Sequence, residues 1–151
     1  TLRGLENSAA DYACFVNDLF SYQKEIEFEG ELNNCVLVVQ KFLGVDKDTA
    51  VLAVNELMTA RMKQFEHLVA KELPVVIRTF DLDAKAQEKL NKYVEQLQQW
   101  MAGIPRWHAE VTRYTEKELI HDAAPKLKAG NVSSLGTSAM RVAELFRAGK
   151  S

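Results

Sequence analysis

The stretch FVNDLFSYQKEIEFEGE, Phe15 to Glu31, sets Asn17, Ser21 and Glu25 at four-residue spacing, with Lys24 beside the last of them. Four residues advance an α-helix by about 400°, so each of the three is displaced only about 40° around the axis from its predecessor, and they share a face. Ala9, Ala13, Val16, Phe20 and Ile26 recur near the helical period as a separate apolar set. Ser8 is expected to cap this helix, its hydroxyl accepting from the open amides of the first turn, and Gly30 to stop it after about Glu29.

Outward from this segment the pattern stays helical. Asn34 to Leu43 is apolar nearly all round and ends at Gly44, so burial on several sides is expected. Asp46 or Asp48 opens a third helix whose apolar set, Val51, Val54, Leu57, Met58, Met62, Phe65, Leu68 and Val69, keeps the period until Pro74. Met58, Met62 and Phe65 read as core, and His67 as packing. Asp83 starts a fourth helix with Leu90, Tyr93, Val94, Leu97, Trp100 and Met101 on one side; Gly103 and Pro105 mark a kink or short break before RWHAEVTRY. After Leu119 the text turns to HDAAPKLKAGNVSSLGTS, rich in turn formers, which predicts a loop and then a short helix from Ala139 to Phe146. The expected organisation is a helical region over 1–120 and a loop with a terminal helix over 121–151. No segment alternates with period two, so the fold class is all-α.

With 151 residues, 47% of them hydrophobic and 26% charged, the chain is large enough for one domain and no more. A net charge of −2 gives no general attraction to nucleic acid or an anionic membrane. The longest purely apolar run, CVLVV, falls far short of the ~18 residues that span a bilayer, which predicts no membrane span and a soluble protein. Cys14 and Cys35 lie in apolar helical text without a CxxC arrangement, so buried free thiols and a cytoplasmic location are expected. The chain starts at Thr1 and runs straight into amphipathic text, as a piece of a longer protein would.

An amide carbonyl, a hydroxyl and a carboxylate on one face form a hard-oxygen set that suits Mg²⁺. Asn17 and Glu25 are about 12 Å apart along a helix axis, so only side chains converging on the level of Ser21 can share one ion. From composition alone, a solvated polar face explains the stripe as well. The full pattern separates the two: NDLFSYQKE fills every fixed position of N-D-x-x-S-x-x-(K/R)-E, a chance match on the order of one in ten thousand for a chain this long. It resembles that motif of microbial class I terpene cyclases. WHAEVTRY, Trp107 to Tyr114, resembles the Arg-Tyr pair that follows far downstream in the same enzymes, and the longer text, with QFEH and LQQWMAGIPRWH, looks most like the germacradienol/geosmin synthases.

The resemblance runs from Leu5 to Tyr114 and implies the class I terpenoid synthase helical fold, in which two metal-binding helices face each other across a cavity. It implies only part of that fold, the second half of the helix bundle. The aspartate-rich motif and the diphosphate-sensing arginine belong upstream of the Asn-Ser-Glu motif; DLDAK at Asp81 is downstream and lacks the pattern, and Arg3 is too close to Asn17. The expected partner is therefore a missing amino-terminal half, without which the fragment is expected to be inactive.

By the same resemblance, Asn17, Ser21 and Glu25 ligate one Mg²⁺ that bridges to the substrate diphosphate. Asp18 lies about 100° off the stripe and is expected to support the site rather than ligate. Lys24 and Arg113 resemble diphosphate contacts, Tyr114 a hydroxyl donor to the same group, and Trp107 and Phe15 aromatic walls for a carbocation. His108 is placed at the cavity edge. The implied activity is that of a Mg²⁺-dependent lyase cyclising farnesyl diphosphate, or a sesquiterpenoid alcohol such as germacradienol on the way to geosmin. The competing readings are a non-catalytic helical interaction module that retains the motif, and a prenyl-chain-elongating synthase, which would need paired DDxxD motifs where this chain has Asn-Ser-Glu.

Overall fold

A computed structural model describes residues 1–114, the side chain of Phe28 aside, and every regular element in it is helical. The loop and terminal helix expected over 121–151, and the boundary near 120, lie outside the described residues. Helix α1 (Leu2–Tyr22) passes without a break into a π-helical segment, Gln23–Glu29. Next come α2 (Cys35–Leu43) and α3 (Lys47–His67), then a second π-helical segment, Leu68–Glu72. Helices α4 (Leu73–Thr79) and α5 (Ala84–Glu110) and a 3₁₀ turn, Thr112–Tyr114, complete the described chain. Among the described residues no helix is long and apolar enough to cross a membrane.

The ends of these helices follow from a few side chains. Gly30, at φ 73°, and Gly44, at φ 64°, take the left-handed conformation that closes the first π segment and α2, where any Cβ would be strained. Asn34 caps α2 by accepting from Val36 N, and Asp83 caps α5 by accepting from Ala86 N at 2.7 Å. The Asp46 carboxylate accepts from Thr49 N at 2.7 Å in front of α3, and this bond holds its pKa below the ordinary carboxylate value. Ser8 does not cap: α1 begins six residues earlier, at Leu2, and the buried Ser8 hydroxyl donates to the Gly4 carbonyl at 2.8 Å. Pro74 does not end the helical run: the π-helical segment Leu68–Glu72 passes directly into α4, and Pro74 stands in the first turn of α4. Helix α5 runs through Gly103 and Pro105, where a kink or short break was expected, without a break.

The chain divides into two units that are packed internally. The first combines residues 1–17 with 55–111. Its core is Leu5, Ala9, Tyr12 and Val16 of α1 with Phe65, Leu68, Leu73, Val94 and Met101. The α1 members are spaced four, three and four residues apart, one helical stripe, and Gly4 lets Leu68 come close: a Cβ there would stand 3.1 Å from Leu68 Cδ1. Outside the core, Arg61 Nε meets Asp11 at 2.9 Å and Tyr93 donates to Glu6 at 2.8 Å. The second unit combines residues 18–54 with 112–114; its buried side chains include Ser21, Tyr22, Asn34, Val36, Leu37, Ala50 and Val54.

Several expectations of burial fail. Cys14 is exposed and Cys35 only half-buried, so neither is a core thiol. His67 is exposed rather than packed, as are Leu57, Met62, Phe20, Val38 and Trp100. The helical period fixes which residues share a face, but how much of that face is covered depends on what packs against it.

Candidate metal centre

Of the residues in the Asn-Ser-Glu motif, Asn17 and Ser21 lie on α1 and Glu25 on the π segment that continues it. A four-residue step overshoots one α turn by about 40°. The wider π turn takes back part of that drift between Ser21 and Glu25, and π segments of this kind are frequent at functional sites. Ser21 carries the most informative geometry. It is 1% exposed, and its Oγ has no hydrogen-bond partner among the described residues. Ser8, equally buried on the same helix, returns its hydroxyl to the backbone. A buried hydroxyl left open is an atom that a cation would satisfy, and hydroxyl, amide oxygen and carboxylate are the hard donors that suit Mg²⁺. Among the described residues no three His, Cys, Asp or Glu side chains cluster, so a softer or more acidic metal site has no competing candidate there.

In the first unit, Asn17 meets His108. His108 Nδ1 lies 2.9 Å from the Ile104 carbonyl, which requires a proton on that nitrogen; Nε2 of the neutral ring is then an acceptor, and Asn17 Nδ2 donates to it at 3.2 Å. The ring therefore takes the amide nitrogen of Asn17 and not its oxygen. Trp107 stacks edge-on against His108, ring centroids 4.8 Å apart, and both line an open apolar hollow of ≈ 440 Å³ with Ala13, Trp100, Gly103 and Ile104. Phe15, half-buried on α1, is not among its lining residues.

In the second unit, Glu25 and Asp18 are tied to the start of α2. Asp18, one residue past Asn17 and so turned about 100° from it, accepts from Cys35 N at 2.7 Å at the start of α2. Burial pushes the Asp18 carboxyl above its ordinary value, the Cys35 amide pulls it down, and the Glu25 charge pushes it up again. Asn34, 1% exposed, donates to Glu25 Oε2 at 3.1 Å and to the Asp18 carbonyl at 2.9 Å. Lys24, three-residue neighbour of Ser21, forms an ion pair with Glu29. Tyr114 packs against Phe20 with centroids 6.4 Å apart, and its hydroxyl is held protonated first by burial and then by the Glu25 charge, against the pull of Arg113 and Lys24. The charges of Arg113, Glu25 and Lys24 thus all act on the Tyr114 hydroxyl. Sequence reasoning missed Asn34 and Glu29. Asn34 was legible as a cap, standing just before an apolar run that ends in glycine, but its second bond, to Glu25, leaves no sequence signal.

Residues 1–64 match the family model described as terpene synthase family 2, C-terminal metal binding. The chain is similar to the pristinol synthase of Streptomyces pristinaespiralis, 30% identical over 115 residues that make up 76% of this chain and 30% of the relative. Sesquiterpene synthase 1 of Postia placenta is 31% identical over 116 residues, 77% of this chain and 32% of its own. The (+)-T-muurolol synthase of Roseiflexus castenholzii, described as (2E,6E)-farnesyl diphosphate cyclizing, is 31% identical over 110 residues, 73% and 31%. The chain spans about a third of the length of these curated relatives. The all-helical architecture of the described residues is consistent with part of a class I terpenoid synthase.

Proposed function

We propose that this chain supplies the metal-binding part of a terpene cyclase, with Asn17, Ser21 and Glu25 as the ligands of one Mg²⁺. The observation that carries the reading is the buried, unpartnered Ser21 hydroxyl in the middle of a motif whose other two members present an amide and a carboxylate. Bound there, Mg²⁺ would neutralise the diphosphate oxygens on which charge develops as the allylic C–O bond breaks. Asn17 offers its carbonyl oxygen, since His108 engages its nitrogen. Arg113 grips diphosphate oxygens with its planar fork, and Tyr114, kept protonated, donates to them. Lys24 joins them by leaving Glu29. Trp107, which lines the apolar hollow, supplies an aromatic wall for the cation left by ionisation.

The substrate class is an isoprenoid diphosphate, and farnesyl diphosphate is the member favoured by the relative whose description names it. A germacradienol/geosmin-type product rests on the motif-bearing text alone; the relatives above carry other product names, and product analysis by gas chromatography decides it. The partner implied is the amino-terminal half of the cyclase.

The test is made in the full-length cyclase. Asn17→Ala and Glu25→Ala each remove an oxygen ligand and lower turnover of farnesyl diphosphate by orders of magnitude while helicity stays intact, and Asp18→Ala is milder. Equal losses at Asp18 and Glu25, or none at Glu25, reject the stripe as the ligand face.

A further inference from the structure

The donor and acceptor atoms of Asn34 are fully committed. Its side chain is 1% exposed, so each polar atom needs a partner within the protein. Oδ1 accepts from Val36 N at 3.0 Å, which fixes the amide's orientation, because only an oxygen can face that N–H. The Nδ2 group is thereby turned the other way, and its two hydrogens go to the Asp18 carbonyl at 2.9 Å and to Glu25 Oε2 at 3.1 Å. One planar group joins the first turn of α2, the backbone beside the motif and the carboxylate that ends the motif. Any change in the side-chain torsions of Asn34 would break all three bonds together.

We propose that Asn34 is a positioning residue for the metal site: it holds one oxygen of Glu25 and so fixes the rotamer in which the other oxygen is presented to the cation. The inference rests on the proposed reading of Glu25 as a ligand. Glu25 has three side-chain torsions and lies on a π segment, so its carboxylate has many alternatives unless something holds it. A neutral donor is suited to that task. An ammonium or guanidinium would neutralise the carboxylate and compete with the metal, whereas an amide N–H orients it and leaves its charge in place. Bonds of this kind, behind a ligand, typically change metal affinity by about 10- to 100-fold when removed.

The experiment measures Mn²⁺ affinity in the presence of inorganic diphosphate, by electron paramagnetic resonance on the full-length protein, for Asn34→Ser, Glu25→Gln and the double variant. Serine is a good cap for α2 but reaches neither Glu25 nor the Asp18 carbonyl, so the helix start survives while both Nδ2 bonds are lost, and the Glu25→Gln background separates the tether from the bond to Asp18. Asn34→Ser is expected to weaken Mn²⁺ binding about tenfold, and to add nothing on the Glu25→Gln background. Wild-type affinity in Asn34→Ser, or a loss that simply adds to that of Glu25→Gln, overturns the inference and leaves the proposed function standing. Unchanged affinity in Glu25→Gln overturns the proposed function itself, and the inference with it. Asn34→Asp guards against a folding failure of the serine variant: it keeps the shape and the cap but turns an oxygen toward Glu25, and should weaken Mn²⁺ binding further. Wild-type affinity there overturns the inference equally.

Discussion

Replacing Ser21 by alanine should move the protein's stability in opposite directions with and without metal. Its Oγ is buried and unpartnered, and such a group costs about 1–3 kcal/mol in lost solvation. Alanine is also the better helix former by up to ~0.7 kcal/mol. Against these stand the dispersion contacts of one oxygen atom, about 0.1–0.2 kcal/mol each, which are lost when it is removed. In EDTA, Ser21→Ala should therefore be about 1–2 kcal/mol more stable than the wild type, a rise of about 1–3 °C in Tm for a full-length protein of the relatives' size. With saturating Mg²⁺ and inorganic diphosphate the order should reverse. Loss of a ligand that weakens the site 10- to 100-fold removes about 1.4–2.7 kcal/mol of metal-linked stabilisation. Paired calorimetric melts of the full-length protein in the two buffers read both signs. A variant destabilised by more than about 1 kcal/mol in EDTA would mean that the hydroxyl has a structural partner. An equal metal-induced rise in both proteins would mean that Ser21 does not ligate. Either result refutes the reasoning.

Arg113→Lys keeps the charge but loses the two parallel bonds of the guanidinium fork, so isothermal titration should show weaker inorganic diphosphate binding; unchanged affinity returns Arg113 to the status of a surface cation. Asp46 titrates below its ordinary value of 3.8 in the folded state through its bond to Thr49 N, so its stabilising effect is fully present above that pH and is lost as pH falls through the lower folded value. The Tm gap between the wild type and Asp46→Ala should accordingly close on acidification, and a gap that widens in acid would contradict the cap.

Sequence alone determined most of the described helices, though not α4 beyond Pro74, and the chemical identity of the candidate ligands. Helix formation is a local matter of period and end residues, which is why Gly30, Gly44 and Asp83 could be read as stops and starts directly, and the start of α3 was narrowed to Asp46 or Asp48. The motif NDLFSYQKE likewise states its donor atoms without help from the fold. The start of α1 was misread because serine plays two roles: Ser8 looks like a cap in the text and proves to be a mid-helix hydroxyl bonded four residues back. Only tertiary structure decided which polar atoms are satisfied. That the Ser21 hydroxyl is open, that Asn17 gives its nitrogen to a histidine 91 positions away, and that a cap residue of α2 also holds Glu25 are facts of distance between segments. Burial follows the same rule: Met62, Leu57 and His67 carry the right period for a core and remain exposed, because a helix specifies a face while the neighbours that cover it are set by the rest of the fold.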